Sequence, residues 1–190
     1  MLTAAIAAAL LVAAPVAAAK ERPVADHTTS VSVVALAVLE PRLEVDYDHA
    51  LSDTSSVTAG ATVGRYNNLL LRVFNELTGT SFTINQMGAF GSYNIHFHQF
   101  NRGWYASGIA RYDRVAASVS GVPAGTYNTV TVGPAIGWKV ATKDGFTFKW
   151  DFGLGYATHF GYGPGRADVS FSEPTRKVYG LGSLNLGYSF

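Results

Sequence analysis

The stretch Leu181-Gly-Ser-Leu-Asn-Leu-Gly-Tyr-Ser-Phe190 decides the fold of this chain. From Leu184 onward every second residue is apolar, and the residues between are polar or small. Side chains of a β-strand point alternately to opposite faces. The pattern therefore predicts a strand with one apolar face and one polar face.

The same period of two recurs along the chain. In Phe146–Ala157, six large apolar residues alternate with Thr147, Lys149, Asp151, two glycines and an alanine. Most such segments exceed the usual strand length of about five to six residues and could cross a bilayer when tilted. The other segments are Arg42–His49, Ser56–Gly64, Gln86–His98, Trp104–Val115 and Thr129–Val140.

The connections between these segments alternate in length. Asn101–Gly103 and Thr142–Gly145 read as tight turns that end in glycine, whereas Tyr66–Ser81 and His159–Arg176 are longer. Seven strands are clear, and Val31–Val38 is the best candidate for an eighth. The expected fold class is all-β, an antiparallel up-and-down β-barrel of eight strands that crosses a membrane.

The amino-terminal residues predict export. Residues 1–19 are almost wholly apolar and end in small residues before Lys20-Glu21-Arg22, which is typical of a secretory signal peptide. A single membrane anchor is the alternative, although the run is short and contains Pro15. We expect a signal peptide at 1–19, a short periplasmic segment at 20–30 and a barrel at 31–190.

Composition limits the remaining classes. The chain has 190 residues, a net charge of +1 and no cysteine. The charge argues against a nucleic-acid partner, and the lack of thiols excludes disulfides and thiolate metal sites. After residue 19 no apolar run is long enough for a membrane helix.

Together these stretches resemble small outer-membrane β-barrels of Gram-negative bacteria, including uncharacterised barrel-domain families and porin-like membrane proteins. The resemblance covers the chain after residue 19 and is carried by Leu43–Ser52, Val132–Lys139, Trp150–Tyr156 and the Phe190 ending. It implies a location in the cell outer membrane, with outer-membrane lipid and the barrel-assembly machinery as partners. It also implies an assembly signal on the last strand, formed by Leu184, Leu186, Tyr188 and Phe190.

The polar faces carry most of the candidate site residues. An eight-stranded barrel is just wide enough for side chains to fill its interior, and charges buried there need partners. We therefore expect a paired network that plugs the lumen, rather than an ion path or a catalytic group. Its predicted members are Arg42, Glu44, Asp46, His96, His98, Arg111, Asp113, Lys139, Lys149 and Asp151.

Other chemistry has weaker support. His96 and His98 could share a zinc ion, but one such pair is a weak signal, and we expect neither a metal nor a cofactor. Lipid A deacylases of this class need a His-x-Ser pattern, whereas His159 is followed by Phe160 and Gly161. The expected function is a non-enzymatic barrel with a structural role or a binding role through its extracellular loops. A lipid-modifying enzyme or a narrow channel is the alternative.

Overall fold

The computed structural model describes residues 27–34, 42–66, 76–77, 79, 81–164 and 177–190. These residues form eight β-strands that pair antiparallel with their neighbours in sequence, and the first strand also pairs with the last. The predicted eight-stranded, up-and-down, closed all-β barrel is confirmed. The strands are β1 Thr29–Val34, β2 Arg42–Ser52, β3 Ser55–Tyr66, β4 Phe82–His96, β5 Arg102–Val119, β6 Val122–Ala141, β7 Phe146–Pro164 and β8 Val178–Ser189.

The two ends of the barrel differ. One end holds the short connections 53–54, 97–101 and 142–145, together with the start of β1 and the end of β8; we call it the short-turn end. We call the other the long-strand end, because β5, β6 and β7 extend there to 18, 20 and 19 residues. β5 and β6 meet in a two-residue turn at Ser120 and Gly121, both with positive φ, as type I′ hairpins require.

Several predicted boundaries differ from the observed strands. β4 is Phe82–His96 instead of Gln86–His98, and β7 extends to Pro164, into the predicted connection His159–Arg176. The eighth strand exists but begins at Thr29, two residues before the predicted start, and residues 35–38 of the predicted Val31–Val38 lie outside the described residues. β5 and β6 run well past Val115 and start well before Thr129. The predicted signal peptide at 1–19 and most of the segment at 20–30 also lie outside the described part of the chain.

The barrel has a polar interior and an apolar exterior. On β2 the inward side chains of Glu44, Asp46 and Asp48 are buried, while the outward side chains of Leu43 and Tyr47 are about half exposed. The same division holds along most of the other described strands, with Phe90, Tyr105 and Ile109 as inward exceptions. This is the reverse of a soluble barrel, in which apolar side chains fill the core.

Glycines on the inner face make room for two interior aromatic rings. A Cβ on Gly60 would overlap the ring of Phe90 on β4, and a Cβ on Gly137 would overlap the ring of Tyr105 on β5. Each ring lies over the backbone of a neighbouring strand, so the middle of the lumen is filled without widening the barrel. Among the described residues no helix is long and apolar enough to span a bilayer.

Candidate functional site

Four buried charges occupy the lower lumen, nearer the short-turn end. Lys149 Nζ lies 3.1 Å from Asp46 Oδ2 and 3.2 Å from Asp48 Oδ1, and Lys139 Nζ lies 3.1 Å from Asp48 Oδ2. We call Asp46, Asp48, Lys139 and Lys149 the ion cluster. Its two positive and two negative charges cancel, which is the condition under which charges persist in a low-dielectric interior.

Neutral side chains complete the hydrogen bonds of the ion cluster. Hydroxyls of Ser32 and Thr58 donate to Asp46 and Asp48. Asn185 Nδ2 donates to Asp46 over 3.0 Å, and Lys139 Nζ donates to Ser30 Oγ over 2.9 Å. These partners come from β1, β3 and β8, so the cluster joins strands from around the barrel.

Phe100 covers the cluster at the short-turn end. Its ring centre lies 3.6 Å from Lys139 Nζ, a cation–π contact, and the edge of the His96 ring packs against it at 5.5 Å. Phe100 is only 5% exposed although it lies in a connection rather than a strand. The lumen is therefore closed at this end by an aromatic ring over an ammonium.

A second charged group lies above the ion cluster, toward the long-strand end. Arg111 donates from Nη1 to Glu44 Oε2 at 2.9 Å and from Nε to Asp113 Oδ2 at 2.8 Å. Its guanidinium carbon lies 5.6 Å from the centre of the Phe90 ring. We call Arg111, Glu44 and Asp113 the arginine triad. One cation between two carboxylates leaves the triad with a net charge of about −1.

Asp151 lies between these two groups and binds neutral partners. Its Oδ2 accepts from Ser183 at 2.7 Å and from Tyr105 at 3.4 Å. Lys149, two residues earlier on the same strand, turns instead to β2. A cavity of about 50 Å³ beside Asp151 and Tyr105 is large enough for one or two water molecules.

Most of the predicted site residues line the lumen. Six of them belong to the ion cluster or the arginine triad, namely Glu44, Asp46, Arg111, Asp113, Lys139 and Lys149. His96 is buried and bonds through Nε2 to Ser56 Oγ at 2.9 Å. His98 is exposed in the connection after β4 and joins neither group, and the Arg42 side chain lies outside the described part.

Asp48 is the site residue that the sequence prediction omitted. It contacts both lysines of the ion cluster, whereas Asp46 contacts one. The available signal was its spacing, because Asp48 alternates with Tyr47 in the same way as Glu44 and Asp46 alternate with Val45. Asp48 was already within the predicted segment Arg42–His49 and was left out only from the predicted lumen network.

The upper lumen contains a wide cavity that opens at the long-strand end. The described residues enclose about 320 Å³ there, above the arginine triad. We call this cavity the cup. Its polar lining includes Gln86, Thr129, Thr131, His159 and Tyr179, and apolar side chains including Val115 and Leu181 complete the wall.

The hydrogen bonds of His49, His96 and His159 are made with hydroxyl groups. His159 bonds to Thr129 Oγ1 at 2.9 Å and to the Tyr179 hydroxyl at 3.2 Å, and His49 bonds to Thr29 at 3.2 Å. None of these contacts, nor that of His96 to Ser56, pairs the ring with a carboxylate, as a hydrolytic triad requires. Within the described ranges no three His, Asp or Glu side chains are grouped as metal ligands.

Comparisons with known proteins add no assignment. No model of a protein family matches the chain. A search of curated proteins found no match, and a search of solved structures found none either. The chemistry of the barrel wall and its lumen is therefore the basis for a function.

Proposed function

We propose that this chain is a small, non-enzymatic outer-membrane β-barrel whose lower lumen is plugged and whose long-strand end has a binding role. The observation that carries the proposal is the apolar outer wall. Val63 is 57% exposed, Phe152 62% and Leu154 57%, and similar side chains cover the wall from β1 to β8. Soluble monomers rarely expose apolar patches beyond a few hundred Å².

The height of the apolar band matches a bilayer. On β7 the outward residues from Phe146 to Tyr156 are all apolar or aromatic. They span about 33 Å along the strand at about 3.3 Å per residue, or about 25 Å along the axis for a tilt of about 40°. Membrane barrels carry an apolar band of about this height.

Aromatic residues border this band. On β5 the outward residues are Trp104 near the short-turn end and Tyr112 higher up, with only alanine and glycine between them. Trp104 pairs with Trp138 on β6, and Trp138 pairs with Trp150, which lies within the apolar band of β7. Tryptophan and tyrosine favour the interface between lipid and water, so this arrangement suits a wall in contact with outer-membrane lipid.

The interior favours a plugged barrel over a channel or an enzyme. The ion cluster and Phe100 close the path at the short-turn end. The histidine contacts lack the carboxylate that would orient a catalytic base. We also propose that the barrel-assembly machinery recognises the outward row on β8, in which Leu186, Tyr188 and Phe190 are exposed.

The tryptophans make the membrane location testable. All three tryptophans of the chain, Trp104, Trp138 and Trp150, lie on the outer wall. Their fluorescence emission therefore reports on this wall alone. The full chain is folded into phosphatidylcholine vesicles with or without bromine on the acyl chains. We expect a blue-shifted emission that brominated lipid quenches.

Two single-tryptophan variants provide the matched control. With the native tryptophans changed to phenylalanine, Tyr112→Trp places the reporter outward and Tyr179→Trp places it inward at the cup. Brominated lipid should quench the first variant and leave the second unchanged. Equal quenching of both variants, or quenching of neither, would contradict a lipid-facing wall.

A further inference from the structure

The cup is a dead-end cavity with a polar floor. The arginine triad lies beneath it, and below the triad the ion cluster and Phe100 fill the lumen. A volume of about 320 Å³ is within the range of small-molecule sites. Among the described residues the triad and the ion cluster block the lower side, so a ligand would reach the cup from the long-strand end and rest on the triad.

Three buried polar atoms around the floor have no hydrogen-bond partner among the described residues. They are Gln86 Oε1, Asp113 Oδ1 and Arg111 Nη2. Gln86 is 8% exposed and Asp113 6%. A buried polar group without a partner is unfavourable, so a ligand in the cup would be stabilised by side-chain rotations that bring these three atoms to it. Two of the atoms are acceptors and one is a donor.

Aromatic rings form one side of the cup. Tyr127 on β6 and Tyr179 on β8 each meet the ring of His159 edge to face, with ring centres 5.7 Å and 5.9 Å away. Bonds to Thr129 and Tyr179 at both nitrogens hold the His159 ring in place. This arc offers flat, weakly polar surfaces opposite hydrogen-bonding groups.

The charges of the triad narrow the ligand class. The two carboxylates of Glu44 and Asp113 outweigh the single charge of Arg111, so an anion would meet a net negative floor. A simple cation could bind to Asp113 Oδ1 and Gln86 Oε1. The nearby guanidinium of Arg111 would repel it. A ligand with several hydroxyls can donate to both acceptors and accept from Arg111, because each hydroxyl does both.

We propose that the cup binds a neutral saccharide of one or two rings, with its hydroxyls on Gln86, Asp113 and Arg111 and one sugar face on the Tyr127–Tyr179 arc. This inference deepens the binding role proposed above but rests only on the barrel interior. Its test is independent of the membrane test, because lipid quenching reports on the outer wall and sugar binding on the lumen.

The test is saturation-transfer NMR on the full chain folded in dodecylphosphocholine micelles, since detergents with sugar headgroups would compete. The probes are glucose, galactose, N-acetylglucosamine, maltose and lactose at millimolar concentration, with spermidine as the cationic comparison. We expect transfer to the ring protons of at least one sugar. Transfer to spermidine but to none of the five sugars would overturn the proposal, as would transfer to no probe.

Variants then locate the binding. Gln86→Leu should weaken the binding of the selected sugar about tenfold, the equivalent of one lost hydrogen bond to a buried group. Thr158→Val removes a hydroxyl from the outer face of the barrel and should leave affinity unchanged. No loss of affinity in a folded Gln86→Leu, or an equal loss in Thr158→Val, would overturn the proposal.

Discussion

The ammonium of Lys149 lies 3.2 Å from the carboxylate of Asp48, although β7 and β2 are not paired strands. β8 and β1 separate them in the sheet, so this ion pair crosses the lumen. Asp48 also contacts Lys139 on β6. One carboxylate on β2 thus links two strands on the far side of the barrel.

Loss of Asp48 should cost more stability than loss of any exposed acid. Asp48→Ala leaves two buried ammonium groups with Asp46 alone, and we expect the free energy of unfolding to fall by about 3–5 kcal/mol. Urea unfolding of the protein folded in lipid vesicles measures this. Asp53→Ala, in the exposed 53–54 turn, should change stability by less than about 0.5 kcal/mol. Similar losses in both variants would show that the ion cluster is not a stability determinant.

An arginine in the middle of the outer wall should lower the free energy of unfolding only when that wall faces lipid. Phe152→Arg puts a guanidinium near the middle of the apolar band on β7, where the Phe152 side chain is exposed, and in a bilayer it should lower the free energy of unfolding by about 2–4 kcal/mol. Thr158→Arg, six residues nearer the long-strand end, should cost about 0–1 kcal/mol because it lies near the interface. Both are measured by unfolding from vesicles. If the two variants were equally stable, the wall would not face a hydrocarbon layer.

Replacement by alanine should reduce stability at one glycine of the barrel and leave it unchanged at another. A Cβ on Gly137 would lie 2.6 Å from the Trp150 carbonyl oxygen and overlap the Tyr105 ring. Gly137→Ala should therefore destabilise the barrel by about 1–3 kcal/mol, the usual cost of overpacking. A Cβ on Gly108, on the outer face, would meet no atom within 4 Å, so Gly108→Ala should be neutral within about 0.5 kcal/mol. Thermal or urea unfolding distinguishes them, and equal effects would refute the close packing at Tyr105.

The outward row on β8 should matter for assembly in cells more than for stability. The Phe190 side chain is 59% exposed, so Phe190→Ser should change the stability of purified, refolded protein no more than Tyr156→Ser does. Assembled barrel in the membrane fraction, measured by its altered gel mobility before heating, should fall several-fold. Tyr156→Ser on β7, which is 51% exposed, is the matched control. A similar fall for both variants would remove any special role for β8.

Alternation along single strands made most of the fold predictable. It identified the strands and showed which residues of each strand share a face, because a period of two is a local property of an extended chain. It did not show that Lys149 would contact β2 rather than Asp151, since contacts across the lumen depend on barrel closure and stagger. His98 was misplaced for a local reason: the strand ends at His96, and beyond that point alternation no longer indicates direction.

Closure also affects how the barrel folds. Seven of the eight strand pairs join neighbours in sequence, but β1 and β8 are separated by about 150 residues of chain. The seven hairpins can form early and locally, whereas the β1–β8 seam must wait for a long loop to close, at an entropic cost that rises with loop length. Until then the edges of β1 and β8 are unpaired and open to other chains. The seam is therefore the expected slow step of folding and the point at which a partly formed barrel would aggregate.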